Sequence, residues 1–275
     1  MVSAKDILVK PIKSNIANDF VKKYHYSGKV VQNSQLHFGC FLNGVLGGVM
    51  SFGPSLDKKK IQSLVKNTGW NDFLELNRMA FSDILPRNSE SRCISIAIKL
   101  IKKYYPHIKW IISFADGQQC GDGTIYRASG FYLTGLSSGA MWLLPEYLAK
   151  LNNGNVAHRM KIQDKCSEIS KYVLSKTNGK NLTMNECVNK FGGKLLDGYN
   201  LRYIYFIDKS KEKDLTVPIL PYSTIDKYGA RMYKGQKLCY NYKTNACVNS
   251  ESRNQSVNGS ASLTHTLHLK EVANG

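Results

Sequence analysis

The sequence predicts an α+β fold: a mixed, mostly antiparallel twisted sheet flanked by helices, with a C-terminal extension. Three observations carry that expectation. Apolar runs of strand length alternate with helical patterns through the first 150 residues. Asn43-Gly44, the strongest short hairpin signal in the chain, joins two of those runs. From Glu75 to Phe131 a strand, an amphipathic helix, a second strand and a short helix follow in succession, with polar residues at the junctions.

Taken in order, Lys5 to Ile12 reads as an opening strand and Asn15 to Tyr24 as a short helix, with Gly28 as its stop. Leu36 to Leu42 and Val45 to Phe52 form the hairpin. Lys58, Lys59 and Lys60 follow Gly53-Pro54 in a loop, either as a solvated charge cluster or as a phosphate clamp. Phe73 to Phe81 is a strand that carries Arg78 among apolar neighbours. Pro86 forbids helix continuation, and Asn88 or Ser89 offers a side-chain oxygen to cap the helix that follows. Along that helix Ile94, Ile98 and Ile101 recur three or four residues apart, while Lys99, Lys102 and Lys103 hold the other face.

Pro106 ends this helix, and Lys109 to Ala115 is rich in Ile, Trp and Phe, as expected of a strand buried in a sheet. Asp116 stands where that strand stops, and in open α/β sheets ligands bind beyond the carboxyl ends of strands. Gly123 to Ala128 forms a short helix, and Phe131 to Leu136 and Ala140 to Leu144 look like two closing strands around Ser137-Ser138-Gly139. After about Glu146 the character changes, with Asn152 to Asn155 as a joint. Met160 to Lys176 has helical periodicity, Asn185 to Phe191 is a weaker helix, Leu201 to Ile207 a strand, and Pro218 and Pro221 bracket a rigid turn. From Asn249 the chain is rich in Ser, Asn, Thr and Gly with little to bury, so residues 249–275 are expected to be a disordered tail.

Composition narrows the classes of function. Thirty-eight basic against twenty acidic residues in 275 give a formal charge of +18, with a pI near 9.5, which suggests a polyanionic partner. No run of about 18 apolar residues occurs and the first residues lack the apolar stretch of a signal peptide, so a soluble cytoplasmic protein with no membrane partner is expected. Seven cysteines without a CxxC pair indicate neither a disulfide framework nor a zinc knuckle. Cys120, in a loop, reads as a bystander more readily than as a nucleophile.

Several polar motifs recur in a specific order: Tyr24-His25-Tyr26-Ser27-Gly28, then Arg78, then the PRNSES run from Pro86 to Ser91, then SFADG from Ser113 to Gly117, then GTIYRASGF from Gly123 to Phe131. This pattern resembles the Mom family of bacteriophage DNA-modifying proteins, which attach a methylcarbamoyl group to the exocyclic amine of adenine and are regarded as a divergent branch of the GNAT acyltransferases. The resemblance covers about residues 5 to 150, with a weaker echo from Leu201 to Ser223. It implies a GNAT-like catalytic domain over residues 1–150, with residues 151–248 as an extension packing on it and available to contact DNA. The implied setting is a phage or prophage protein in a bacterial host, acting on double-stranded DNA, with a dimer left open.

The same resemblance assigns roles. Asp116 becomes the group that accepts a hydrogen bond from the adenine amine and takes its proton; from the residues alone it serves equally as a helix cap or a partner for a lysine. Tyr126 becomes the general acid for the leaving group, where the residues alone favour half-buried packing. Arg78 holds the donor's carbonyl or carboxylate, or pairs with Asp83 or Glu75. His25, Tyr26 and Ser113 are placed in the pocket, and the resemblance raises iron at His25, although a lone histidine without a spaced partner is usually no metal ligand.

The donor is where the sequence departs from the common GNAT pattern. The glycine-rich pyrophosphate loop of acetyl-CoA-dependent members is replaced by PRNSES, which leaves an acyl-CoA-type donor in doubt. Backbone amides at that helix start, with Arg87, Asn88, Ser89 and Ser91, remain candidates for an anion. A basic rim of Lys23, Lys29, Lys58, Lys59, Lys60, Lys102 and Lys103 is expected to meet DNA phosphates. Two other readings stand beside this one: an N-acetyltransferase for another amine on a hypermodified base, a tRNA or a small molecule, and a non-catalytic DNA-binding protein.

Overall fold

A computed structural model describes residues 3–25, 27–117, 122–139, 141–196, 198–227, 238–241 and 246–249. The expected tail therefore lies outside the described residues, apart from Asn249. The chain divides into two compact units: Met1–Ala115, Gly123–Ser137 and Asn200–Tyr228 form one, and Asp116–Asp122, Ser138–Tyr199 and Gly229–Gly275 the other.

In chain order the elements are β1 (Leu8–Pro11), α1 (Ser14–Tyr24), β2 (Leu36–Leu42), β3 (Val45–Gly53), α2 (Lys58–Gln62), β4 (Phe73–Phe81), α3 (Ser89–Tyr104), β5 (Trp110–Asp116), α4 (Thr124–Ala128) and β6 (Tyr132–Ser138). There follow β7 (Met141–Leu143), α5 (Glu146–Asn152), β8 (Val156–His158), α6 (Arg159–Gln163), α7 (Glu168–Ser175), α8 (Met184–Phe191), β9 (Lys194–Leu195), β10 (Tyr199–Phe206), α9 (Ser223–Lys227), β11 (Leu238–Asn241) and β12 (Ala246–Asn249).

The first unit is built on a seven-stranded sheet in the order β1-β2-β3-β4-β5-β10-β6. The β1–β2, β2–β3 and β3–β4 pairs are antiparallel and β4 pairs parallel with β5, which is the mixed, mostly antiparallel arrangement expected. Asn43 and Gly44 turn the β2–β3 hairpin with φ of 50° and 81°, the doubly left-handed geometry that a two-residue loop needs to match strand twist. α1 buries Ala17, Phe20 and Val21 in a cluster with Val49 and Ala80. α3 buries Cys93, Ile94, Ala97, Ile98 and Ile101, the face set by its periodicity. A further cluster joins Leu64, Val65, Phe73, Trp110, Ile112, Ile204 and Phe206.

Two expectations need correction. The opening strand is shorter than Lys5 to Ile12, because Ser3 and Asp6 form a capping box that holds Ala4–Asp6 in a 3-10 turn. The two closing strands do not pair with each other. β6 joins the large sheet beside β10, a strand that arrives from 60 residues further along the chain. β7 instead centres a separate three-stranded sheet, β8-β7-β9, in the second unit.

The core of that second unit gathers around Trp142, with Leu144, Leu148, Ala157, Ile162, Ile169, Val173 and Cys187. Trp142 satisfies its indole by donating Nε1–H to the Gly192 carbonyl at 3.0 Å. The periodic stretch from Met160 is two helices, α6 and α7, because Ser167 starts a new helix by capping Ser170 N–H. Thr183 and Glu186 close a capping box on α8.

Candidate active site

The site of the first unit begins with a bulge in β4. Gly53 pairs with Glu75 and Phe52 with Leu76, but Ser51 pairs with Arg78, so Asn77 is an extra residue in the strand. Gly53 and Ser51, two residues apart on β3, share a face, and their partners Glu75 and Arg78 therefore share it too. Strict alternation would have sent residues three apart to opposite faces. His37 stands opposite Ser51 on β2 and meets it through Nδ1 and Oγ at 2.8 Å, which extends the polar row across three strands.

Arg78 is held at two points. Its Nε–H donates to the Lys29 carbonyl at 2.9 Å and an Nη–H to the Asn77 carbonyl at 2.8 Å. Glu75 lies within its field, and burial pushes the carboxyl above the usual range while Ser55, Asn77 and Arg78 act in the other direction. Ser55, 4% exposed, has an Oγ with no partner in hydrogen-bond geometry, although it lies close enough to act on that carboxyl.

A gap opens beside this face. β4 and β5 stay in register from Phe73 and Trp110 to Glu75 and Ile112, and their pairing goes no further. The next carbonyl, Leu76 O, accepts instead from the Ser113 hydroxyl at 3.1 Å. Tyr126 enters from α4. It is 8% exposed, and its rings neighbours are Phe131 at 5.5 Å and Tyr203 at 5.3 Å. Burial raises its pKa, the facing Ser113 hydroxyl eases that rise, Glu75 adds to it and Arg78 opposes it. Gly123 makes the approach feasible: its φ is +75°, and a Cβ there would run into the Tyr203 ring.

His25 caps the end of α1 and also feels Arg78. Burial first, and the Arg78 charge second, lower its pKa to about 4, so the imidazole is neutral at neutral pH. Its Nδ1 accepts from Ser27 N–H at 3.1 Å and lies 2.8 Å from Ser27 Oγ, which assigns the proton to Nε2. Among the described residues no group of three His, Cys, Asp or Glu side chains is placed to hold a metal.

At the start of α3, Asn88 is the N-cap residue in a left-handed conformation and its side chain makes no cap. Ser89 Oγ donates to Pro86 O and Ser91 Oγ to Asn88 O, so neither hydroxyl is spent on the first-turn amides. Arg87 is exposed, whereas Arg92 reaches back to Lys5 O at 3.3 Å. Those amides sit in a helix of 16 residues and are available to an anion, with Glu90 in the same turn working against it.

The structure thus brings Arg78, Ser113 and Tyr126 together and ties His25 to them through Arg78. Asp116 ends β5, half-buried, and falls in the second unit. Tyr26 and Cys120 lie outside the described residues. The lysines do not form one patch. Lys23 and Lys29 flank His25 in sequence, and the Lys29 carbonyl binds Arg78. Lys102 and Lys103 occupy the last turn of α3, about 20 Å along the helix from its start. Lys102 there lines a groove of about 350 Å³ with Ile108, Lys109, Ile207, Asp208 and Lys209. Lys58 lies over the Trp70 ring at 4.6 Å, in the short helix α2 that it shares with the exposed Lys59 and Lys60. Glu75, Asn77 and Ser55 are the polar residues that sequence reasoning missed as site members. The clustering of Glu75, Asn77 and Arg78 in an otherwise apolar strand was the available signal.

Comparisons with known proteins bear on this site. The chain is 41% identical over 133 residues to the methylcarbamoylase mom of Escherichia phage Mu, a stretch that is 48% of this chain and 55% of that protein. The chain therefore spans about half the length of the curated relative it matches. Among solved structures, an IAA acetyltransferase from Bacillus cereus is 10% identical, with 73% of this chain and 99% of that chain covered at a TM-score of 0.38. A Bacillus subtilis acetyltransferase in complex with CoA is 10% identical, with 73% and 97% covered at a TM-score of 0.39. The Mom protein family matches residues 6–224, most of the length of the chain, and the chain belongs to that family.

Proposed function

We propose that this protein modifies DNA bases, transferring a methylcarbamoyl or related acyl-type group to the exocyclic 6-amino group of adenine and so protecting phage DNA from restriction. The observation that carries the reading is the buried Tyr126 beside Ser113 and Arg78, at a gap in the sheet, in a chain of the Mom family. The relative in phage Mu is named a methylcarbamoylase.

The amine of adenine is a poor nucleophile because its lone pair is delocalised into the ring. Its acylation needs an activated donor, removal of a proton and stabilisation of a tetrahedral oxyanion. In this scheme Arg78 faces the donor's carbonyl oxygen, and Tyr126 protonates the leaving group. Asp116 takes the amine proton, and His25, neutral and fixed by Ser27, lines the pocket with Ser113. An acyl-CoA-type donor would lay its phosphates on the uncapped amides of α3, beside Arg87, Asn88, Ser89 and Ser91. The adenine has to leave the duplex stack to reach such a pocket, which Lys23 and Lys29 would assist by gripping phosphates. Action in the cytoplasm of a bacterial host follows from a DNA substrate; among the described residues no helix is long and apolar enough to cross a membrane.

The test is mass spectrometry of nucleosides digested from DNA of cells that produce the protein, beside an Asp116→Ala control. A new adenosine species present only with the unaltered protein is the expected result, and its mass names the group. Unmodified DNA in both would sink the DNA reading in favour of another amine acceptor.

A further inference from the structure

We propose that Tyr222 is a positioning residue for Tyr126: its hydroxyl fixes the carbonyl of Phe131, and Phe131 fixes the short helix that presents Tyr126. This rests on the acyl-transfer reading above. A group that protonates a leaving atom must stand within hydrogen-bond reach of it, and a displacement of about 1 Å can cost roughly 100-fold in rate. Helix α4, with five residues, cannot hold such a position by itself, because a helix of little more than one turn bears the cost of nucleation and gains little from propagation. Its hold has to come from outside.

Part of that hold is local. Gly130, at φ of +80°, follows α4 in the left-handed conformation; its N–H donates to Arg127 O at 3.0 Å, and the N–H of Phe131 donates to Tyr126 O, also at 3.0 Å. These two bonds make a Schellman cap, in which Tyr126 and Phe131 are the residues that pack against each other, here with ring centroids 5.5 Å apart. The place of Tyr126 therefore follows that of Phe131. Phe131 is held in turn from 91 residues further along the chain, where Tyr222 donates its hydroxyl to Phe131 O at 2.6 Å. The Tyr222 ring also lies 4.8 Å from the Arg127 guanidinium, so this one side chain touches a residue of each bond in the cap. Tyr222 is itself well fixed. Leu220 N–H donates to Leu133 O at 2.8 Å, Pro221 restricts the backbone before it, and α9 behind it is anchored by the fully buried Ile225. The turn bracketed by Pro218 and Pro221 thereby gains a task, which is to bring one hydroxyl to the end of α4.

The experiment is a double-mutant cycle on the full chain: the unaltered protein, Tyr222→Phe, Tyr126→Phe and the two together, with modified adenine measured by nucleoside mass spectrometry of DNA from cells producing each. Tyr222→Phe keeps the ring beside Arg127 and removes one hydroxyl. It should lower modification roughly 10-fold when Tyr126 is present and less than about 2-fold in the Tyr126→Phe background, because without the phenol there is nothing left to position. A bond that served the fold alone would lower it equally in both. The second readout is NMR of ring-labelled tyrosine, with the Tyr126 resonance assigned by its loss in Tyr126→Phe. That resonance should shift in Tyr222→Phe, while those of Tyr147 and Tyr172, in the second unit, keep their places. Equal losses in both backgrounds, no loss in either, an unmoved Tyr126 resonance, or a Tyr222→Phe protein that does not fold would each overturn the assignment. If the unaltered protein modifies no DNA, the base-modification reading fails, and the Tyr126 resonance alone decides whether Tyr222 sets its position.

Discussion

The parallel pair β4–β5 has two ends built from the same two strands and to opposite purposes. At the end where the strands begin, Phe73 and Trp110 stack with centroids 4.5 Å apart and 6° between their planes, both at most 1% exposed, and the register is regular. Past Glu75, the last paired position, the pairing has stopped, a bulge interrupts β4, and Arg78, Ser113 and Tyr126 replace the aliphatic contacts. The first end is held by dispersion and apolar burial. The second carries a half-buried carboxyl, a guanidinium and a buried hydroxyl, all of which cost stability to hold. The difference teaches where this sheet stores its stability and where it gives some up.

The largest effect should come from breaking the apolar end. Trp110→Ala removes a fully buried ring and the Nε1–H donated to Thr68 Oγ1 at 3.2 Å, and should cost about 3–5 kcal/mol in a denaturant titration. Tyr126→Phe, at the polar end, should reverse the pattern. It removes one oxygen from a packed ring, so stability should change by no more than about 1 kcal/mol, while adenine modification falls roughly 100-fold. If Tyr126→Phe unfolds the protein instead, or leaves modification intact, the division of labour between the ends is wrong.

Much of this contrast was legible in the sequence, and its sharpest feature was not. Strand β4 is bounded as its apolar run suggests, and the β2–β3 hairpin and α3 follow from Asn43-Gly44 and from Pro86 with Pro106. The bulge is invisible to a period of two. Alternation along Glu75-Leu76-Asn77-Arg78 sets Glu75 with Asn77 and Arg78 with Leu76, so Glu75 entered the sequence reading only as a counter-ion to Arg78. The site depends on one inserted residue whose pairing is decided by β3. The place of β10 was equally hidden: Leu201 to Ile207 reads as a strand, but nothing local says that it separates β5 from β6. The run from Ala140 to Leu144 went to the wrong sheet for the same reason, since an apolar run states that it is buried and not against what.

A third, smaller effect tests the polar end by pH. His25 has a pKa of about 4 in the folded chain against 6.5 for an ordinary histidine. The unfolded chain therefore binds the extra proton first. Its contribution to stability is complete above pH 6.5, declines as pH falls and is gone once pH passes below about 4. After allowance for partial exposure this amounts to roughly 1 kcal/mol. Denaturation midpoints measured between pH 7 and pH 4 should fall less steeply in His25→Gln than in the unaltered protein. Equal slopes would mean that His25 is as accessible to protons folded as unfolded.

The smallest effects separate the lysines. If DNA approaches the end where the strands finish, Lys23 and Lys29, next to His25 and to the carbonyl that holds Arg78, contact phosphates, and Lys102 and Lys103, at the far end of α3, do not. Each lost phosphate contact lowers the slope of log affinity against log salt by about one. The pair Lys23→Ala and Lys29→Ala should therefore flatten that slope by up to about two, while Lys102→Ala with Lys103→Ala leaves it unchanged and shifts stability by less than about 0.5 kcal/mol. The opposite ranking would assign the DNA track to the groove lined by Lys102, Lys109 and Lys209. A flipped base would then have to cross the length of the sheet to reach Tyr126, and since a seven-residue strand spans about 23 Å, a single duplex contact could not serve both ends without bending the DNA.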